Sequence, residues 1–289
     1  MPGREAAGRV VAMPTFSAPD GTVLAYHESG GGSPLVCLPG GPMQHSGYLG
    51  DLGGLSAHRR LIMMDPRGTG GSATPADAAS YRCDRLVGDL EALRAQLGLD
   101  RMDLLAHCAG ANLALLYAAR HPGRVRSLVL VTPSTFAAGI FPAGPARMEI
   151  ARLRADEPWF GPAFDALESI VAGRDTDRDA IQPFFYGRWD AAARAHVAAQ
   201  DGSRNEEAAA VYGSEGAYDP EATRAALATF GAPTLVLAGE VDLNSIPGAV
   251  AELAGLFPAA EFAVLPGAGH FPWLDDADRL VTAITTFLG

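Results

Sequence analysis

Positive charge is in short supply in this sequence: 22 Lys and Arg stand against 33 Asp and Glu in 289 residues, a formal net charge of -11. Nucleic acids and anionic bilayer surfaces reward clustered Lys and Arg, so neither is expected as a partner. Cysteine is equally scarce. Cys37, Cys83 and Cys108 are odd in number and irregular in spacing, with no C-x-x-C pair and no His at zinc spacing, which argues against a disulfide framework or a structural metal site. No apolar run reaches the ~18 residues of a membrane span, and the start MPGREAAGRVVAMPTF lacks the apolar centre of a signal peptide. The cytoplasm is therefore the expected compartment. Internal repeats and low-complexity tracts are absent too. The glycine-dense stretch Asp65–Ser72 matches neither G-x-G-x-x-G nor a loop followed by a Lys-Ser/Thr helix start, so no phosphate site, cofactor or metal is expected. What remains, 48% hydrophobic and 19% charged residues, is the composition of a soluble globular chain with room for one large core plus an insertion, or for two ordinary domains.

The most informative stretch is Met102–Arg120, MDLLAHCAGANLALLYAAR. The apolar run Leu104-Leu105-Ala106 breaks at His107-Cys108-Ala109-Gly110 and resumes at helical spacing through Leu113, Leu116 and Ala119, which predicts a buried strand turning sharply into a helix. Cys108 sits at the tip, with small residues two places before and after it, because side chains there would collide as the backbone doubles back. This is the nucleophile-elbow pattern G-x-S-x-G with Ala for the first Gly and Cys for Ser. N-H groups opening the following helix favour negative charge, and with a His partner they can bring a thiol from about 8.5 into a range of roughly 3.5 to 7.5. A buried, inert cysteine is the competing reading of the pentapeptide alone.

Around it, short apolar runs alternate with helical patterns. Residues 9 to 28 read as a hairpin about Ala18-Pro19-Asp20-Gly21, with Val10–Phe16 and Thr22–His27 as its strands. Pro34–Leu38, Arg60–Met64, Val125–Val131, Ala232–Ala238 and Glu261–Leu265 read as further strands, the central ones buried on both faces. Helices are expected over Ser80–Gly98, Pro247–Leu256 and at the C-terminus, where Asp275 or Asp276 would cap. Such alternation implies an α/β fold with a mostly parallel sheet flanked by helices. Residues 135–230 break the pattern with Ala, Arg, Asp and Glu and scattered aromatics, and read as an inserted helical segment; residues 1–134 and 231–289 form the core.

Reactive groups of open α/β sheets gather at the carboxyl ends of strands. Cys108, Asp242 and His270 each follow a strand there, in the chain order nucleophile, acid, histidine that marks one triad type among several. His270 would take the thiol proton and return one to the leaving group, with Asp242 fixing its tautomer. His107 adjoins the nucleophile, but its side chain should point the other way. Two N-H donors for an oxyanion hole are available at Gly41 and Ala109.

These features resemble the proline iminopeptidase family of α/β-hydrolases over nearly the whole chain. Gly40-Gly41-Pro42 is similar to that family's H-G-G-P-G, Asp65–Ser72 to its D-x-R-G-x-G-x-S, and Ala119–Val125 and Gly267–His270 also match. Pro39, Met43 and Cys108 depart from the pattern, replacing a His, a Gly and the Ser nucleophile. The resemblance implies a hydrolase acting through an acyl-Cys108 intermediate on an aminoacyl amide, short peptide, ester or thioester. Acyl transfer on the same fold and a non-catalytic binder are the alternatives. It further implies that residues 135–230 form a lid whose aromatics wall a pocket over Cys108. Lid carboxylates would there receive a substrate ammonium, Asp201 and Glu215 before Glu206 and Glu207.

Overall fold

The computed structural model describes residues 13–289. Eight strands form one sheet in the order β1-β2-β4-β3-β5-β6-β7-β8. They are β1 (Thr15–Ser17), β2 (Val23–Ser29), β3 (Pro34–Leu38), β4 (Arg60–Met64), β5 (Met102–His107), β6 (Val125–Val131), β7 (Thr234–Gly239) and β8 (Ala260–Leu265). β1 and β2 are antiparallel, β2 runs antiparallel to β4, and β3 to β8 are mutually parallel. The predicted turn closes by a hydrogen bond from Gly21 N-H to Ala18 O; the second strand is shifted to Val23–Ser29, the first is Thr15–Ser17, and residues 9–12 of the expected hairpin lie outside the described residues.

The central strands are apolar throughout because both faces are covered, and successive side chains serve opposite cores. Val36, Leu38, Ile62, Met64, Leu104, Ala106, Leu128 and Leu130 pack into one cluster beneath helices α1 (Cys83–Gln96) and α2 (Gly110–Arg120). Leu35, Cys37, Leu61, Met63, Leu105, Val129 and Val131 pack on the other face. α1 begins at Cys83 rather than Ser80, after a 3-10 turn at Ala78–Tyr81 capped by Asp77.

Between β6 and β7 lie α3 (Gly144–Arg152), α4 (Phe160–Val171), α5 (Ala191–Ala199), α6 (Glu206–Tyr212) and α7 (Pro220–Leu227), with no named strand. Asp190, Asn205 and Asp219 cap α5, α6 and α7 through their side chains. The aromatics of this segment divide among the cores. Trp159, Phe160, Phe164 and Phe184 gather with Met148, Leu167 and Leu243, whereas Tyr186 and Trp189 join the second sheet-face cluster and Tyr212 the first. The chain closes with α8 (Pro247–Ala254), α9 (Pro272–Asp275) and α10 (Ala277–Leu288). Asp276 caps α10, while Asp275 instead accepts the N-H of Gly269, holding the loop before His270. Among the described residues no helix is long and apolar enough to cross a membrane.

Candidate active site

The turn from β5 into α2 places Cys108 at φ 51, the left-handed region that a non-glycine residue enters at a cost of about 1–3 kcal/mol. Neighbouring backbone holds it there: Cys108 N-H donates to Val131 O at 3.3 Å, and Cys108 O accepts from Ala111 N at 3.0 Å and Ser134 N at 2.9 Å. Two glycines make the turn fit. A Cβ on Gly40 would lie 2.6 Å from Cys108 Cβ, and one on Gly110 would lie 2.5 Å from Pro39 O. The loop after β3 therefore lies directly against the elbow.

Asp242 and His270 meet at the same edge. Asp242, fully buried, takes His270 Nδ1 at 2.8 Å on one oxygen and the N-H groups of Asn244 (2.7 Å) and Ser245 (3.1 Å) on the other. His270 is 4% exposed. Its N-H donates to Phe185 O at 2.7 Å, and its carbonyl accepts from Thr132 Oγ1 and from His107 Nε2, both at 2.9 Å. Cys108 is 9% exposed.

The electrostatics of this buried pair follow from those contacts. Burial pushes the Cys108 thiol up, but the charge and hydrogen bond of His270 and the N-H groups of Gly41 and Ala109 outweigh it, leaving the thiol below its ordinary value. Burial alone would push His270 down; the charges of Asp242 and Cys108 and their hydrogen bonds hold it above its ordinary value instead. Both shifts favour a thiolate beside an imidazolium. The other two cysteines behave oppositely. Cys37 and Cys83 are buried with no histidine beside them; burial raises both thiols, Cys83 to about 12.

His107 points away from Cys108, as expected, into a polar chain that pattern reading did not find. Gly40 N-H donates to Tyr48 Oη at 2.7 Å, and Tyr48 Oη lies 2.6 Å from His107 Nδ1. Burial and the neighbouring His270 hold His107 well below its ordinary value, so it is neutral, with Nε2-H directed at His270 O. The glycine loop and the backbone of His270 are thereby joined through two side chains. Asn244 is a second residue missed from sequence: its Nδ2 lies 3.6 Å from Cys108 Sγ and 3.2 Å from His270 Nε2. Its only sequence signal is its place two residues after Asp242. A third finding concerns Met43, buried with φ 57, where a glycine would carry no strain.

Asp201 and Glu215 are not brought together at this site. Both are exposed, and the Glu215 carbonyl contacts Arg82 on the outer surface at 3.2 Å; Glu206 and Glu207 are exposed as well. Short loops after α5 and α6 leave these carboxylates in water, where their charge is solvated. From the inserted segment Tyr212 Oη donates to Ala109 O at 2.7 Å, the Phe185 ring centroid is 6.4 Å from that of His270, and the half-buried Arg147 bears electrostatically on Asp242.

Comparison with known proteins gives the same architecture. A family described as "alpha/beta hydrolase fold" matches residues 33–277. The proline iminopeptidase of Heyndrickxia coagulans is 36% identical over 108 residues, 37% of this chain and 38% of that protein. The 2-hydroxymuconate semialdehyde hydrolase of Pseudomonas sp. (strain CF600) is 38% identical over 111 residues, 36% of this chain and 38% of that protein. The chain thus spans 38% of the length of these two curated relatives. Among solved structures, the proline iminopeptidase of Mycobacterium smegmatis superposes with a TM-score of 0.73 at 23% identity, over 96% of this chain and 97% of that one. An esterase from Rhodococcus sp. ECU1013 gives 0.71 at 26%, over 96% and 98%.

Proposed function

Because the chain belongs to the alpha/beta hydrolase family, we propose that it hydrolyses an acyl bond through a covalent acyl-Cys108 intermediate, with Asp242 and His270 completing the triad. The observation that carries this is Cys108 held at a strained left-handed turn, with the Asp242–His270 pair (2.8 Å) joined to its sulfur through Asn244 Nδ2, 3.6 Å from Cys108 Sγ and 3.2 Å from His270 Nε2. A structural cysteine needs none of these. In the first step the Cys108 sulfur attacks the carbonyl carbon, the carbonyl electron pair moves to oxygen, and the N-H groups of Gly41 and Ala109 turn to that oxyanion. His270 Nε2 then gives its proton to the leaving group as the bond to it breaks. Water attacks the thioester, His270 takes its proton, and collapse releases the carboxylic acid and the thiolate.

The acyl group follows from what the site does not offer. The buried carboxylates among the described residues are Asp65, Asp89, Asp103 and Asp242. The first three are occupied by Ser46 and His27, by Arg67, and by Arg59 and Arg126, and Asp242 by His270. None is left for an α-ammonium, and burying a cation without a partner is costly. An ester or thioester whose acyl group carries no α-ammonium therefore fits better than an N-terminal aminoacyl amide. The helical segment 135–230 would act as the lid that excludes water from the acyl-enzyme.

A panel of aryl esters, thioesters and aminoacyl amides, with Cys108→Ala as control, tests this reading. Turnover of the esters, a trapped acyl adduct on Cys108 by intact mass, and loss of both in the variant are expected. Equal turnover by Cys108→Ala, or no turnover and no adduct with any member, refutes it; the second result favours a binding protein.

A further inference from the structure

Asn244 lies in the turn after β7, where the carboxylate that orients His270 also accepts Asn244 N-H at 2.7 Å. Asn244 is itself exposed, but its side-chain amide leans over the site from the solvent side, with Nδ2 3.6 Å from Cys108 Sγ and 3.2 Å from His270 Nε2. Among the described residues the amide N-H has only two acceptors, Cys108 Sγ and, when His270 is neutral, its Nε2, so it neither caps the turn nor braces a neighbouring loop. We propose that Asn244 is a catalytic residue, the hydrogen-bond donor that stays on the Cys108 sulfur when the backbone donors leave it. This rests on Cys108 being the nucleophile.

At the resting sulfur Asn244 Nδ2 lies at 3.6 Å, and the charge of His270 with the N-H groups of Gly41 and Ala109 favours the thiolate. A single oxyanion hole cannot serve two anions. Once the carbonyl is attacked, the two backbone N-H groups are needed at the carbonyl oxygen, and sulfur keeps only the two side chains that come from the ends of β7 and β8. In the second half of the reaction, water adds to the thioester carbon and its proton passes to His270 Nε2. The C-S bond then breaks and its electron pair returns to sulfur, which leaves as a thiolate. The carboxylic acid departs, and the imidazolium and the Asn244 amide remain to hold the negative charge. Hydrogen bonds to charged groups are the strong ones. The other titratable groups around the sulfur do not substitute for it, because their donors point elsewhere: Tyr212 Oη to Ala109 O, Tyr48 Oη to His107 Nδ1 and His107 Nε2 to His270 O, while Arg147 bears on Asp242.

The test is the pH dependence of iodoacetamide alkylation at Cys108, read by intact mass in the wild type, Asn244→Ala and Asn244→Asp, with acyl-enzyme accumulation followed in parallel. In Asn244→Ala the midpoint should move up by about one unit, so that alkylation is about tenfold slower below both midpoints and equal to wild type above them. Asn244→Asp, of the same shape but bearing a charge that repels a thiolate, should move it further. Deacylation should slow about tenfold in Asn244→Ala, so that acyl-enzyme accumulates. A purely structural side chain would change thermal stability and leave the midpoint in place. A wild-type midpoint in Asn244→Ala overturns the proposal; should that variant fail to fold, Asn244→Leu, of similar size and without a donor, decides by the same criterion. A wild-type midpoint near the free-thiol value of about 8.5 instead refutes the nucleophile itself, and Asn244's role with it.

Discussion

Substituting Gly110 by Ala separates stability from activity. A Cβ there would lie 2.5 Å from Pro39 O and 2.7 Å from Leu38 O, both main-chain atoms at the end of β3, where ordinary contact begins near 3.4 Å. About 0.9 Å (3.4 − 2.5) must therefore open between the start of α2 and the glycine loop. Ala is favoured over Gly within a helix by about 1 kcal/mol, against about 1–3 kcal/mol for overpacking. The net loss of stability should not exceed about 2 kcal/mol, a Tm decrease below about 8 °C. Activity should suffer far more. Ala109 N-H sits on one side of the opened gap and Gly41 N-H on the other, and both must be within about 3.1 Å of the developing oxyanion. Losing one such donor costs about 2.7–4 kcal/mol, a fall of about 100- to 1,000-fold in kcat. The assay is kcat on the best ester of the panel beside a thermal melt of the same sample. A folded Gly110→Ala protein with kcat within about threefold of wild type would sink the assignment of Gly41 and Ala109.

Asp242→Asn should narrow the pH profile of kcat/KM from both sides. Without the carboxylate His270 falls back toward about 6.5, and with a weaker imidazolium beside it the Cys108 thiol rises; a profile of unchanged width counts against the ion pair. For Asp201→Asn and Glu215→Gln, kcat/KM should stay within about twofold of wild type for free-amine and N-acetylated versions of one substrate, since both side chains are exposed. A selective loss on the free amine would restore the amine-recognition reading. Asp65, fully buried, accepts from Ser46 N-H and Oγ-H, Gly71 N-H and His27, so Asp65→Ala should cost about 3 kcal/mol in chemical denaturation at neutral pH. Burial raises its carboxyl, but those four donors outweigh it and hold it below the ordinary carboxylate value. The gap to wild type should therefore be full above about pH 4 and close as pH falls through the lower folded value. A gap that does not change with acid contradicts the ionised assignment.

Local chemistry is what the sequence determined by itself. Strands apolar on both faces, Pro34–Leu38 and Arg60–Met64 among them, announced a covered parallel sheet, because a face exposed to water would have alternated with polar residues. The small residues about Cys108 announced the elbow, and the strand-end positions of Asp242 and His270 announced which acid and which histidine to look for. All of these depend on neighbours within a few residues. Only tertiary structure decided the rest. Asn244 carries no local pattern, and its meaning comes from the end of β7 lying beside Cys108, 136 positions earlier in the chain. The chain from Gly40 through Tyr48 and His107 to His270 joins four distant positions, a contact no periodicity encodes. The solvent exposure of Asp201 and Glu215 likewise follows from how α5 and α6 sit on the sheet, since an acidic residue in a helical segment reads alike whether it faces water or a pocket.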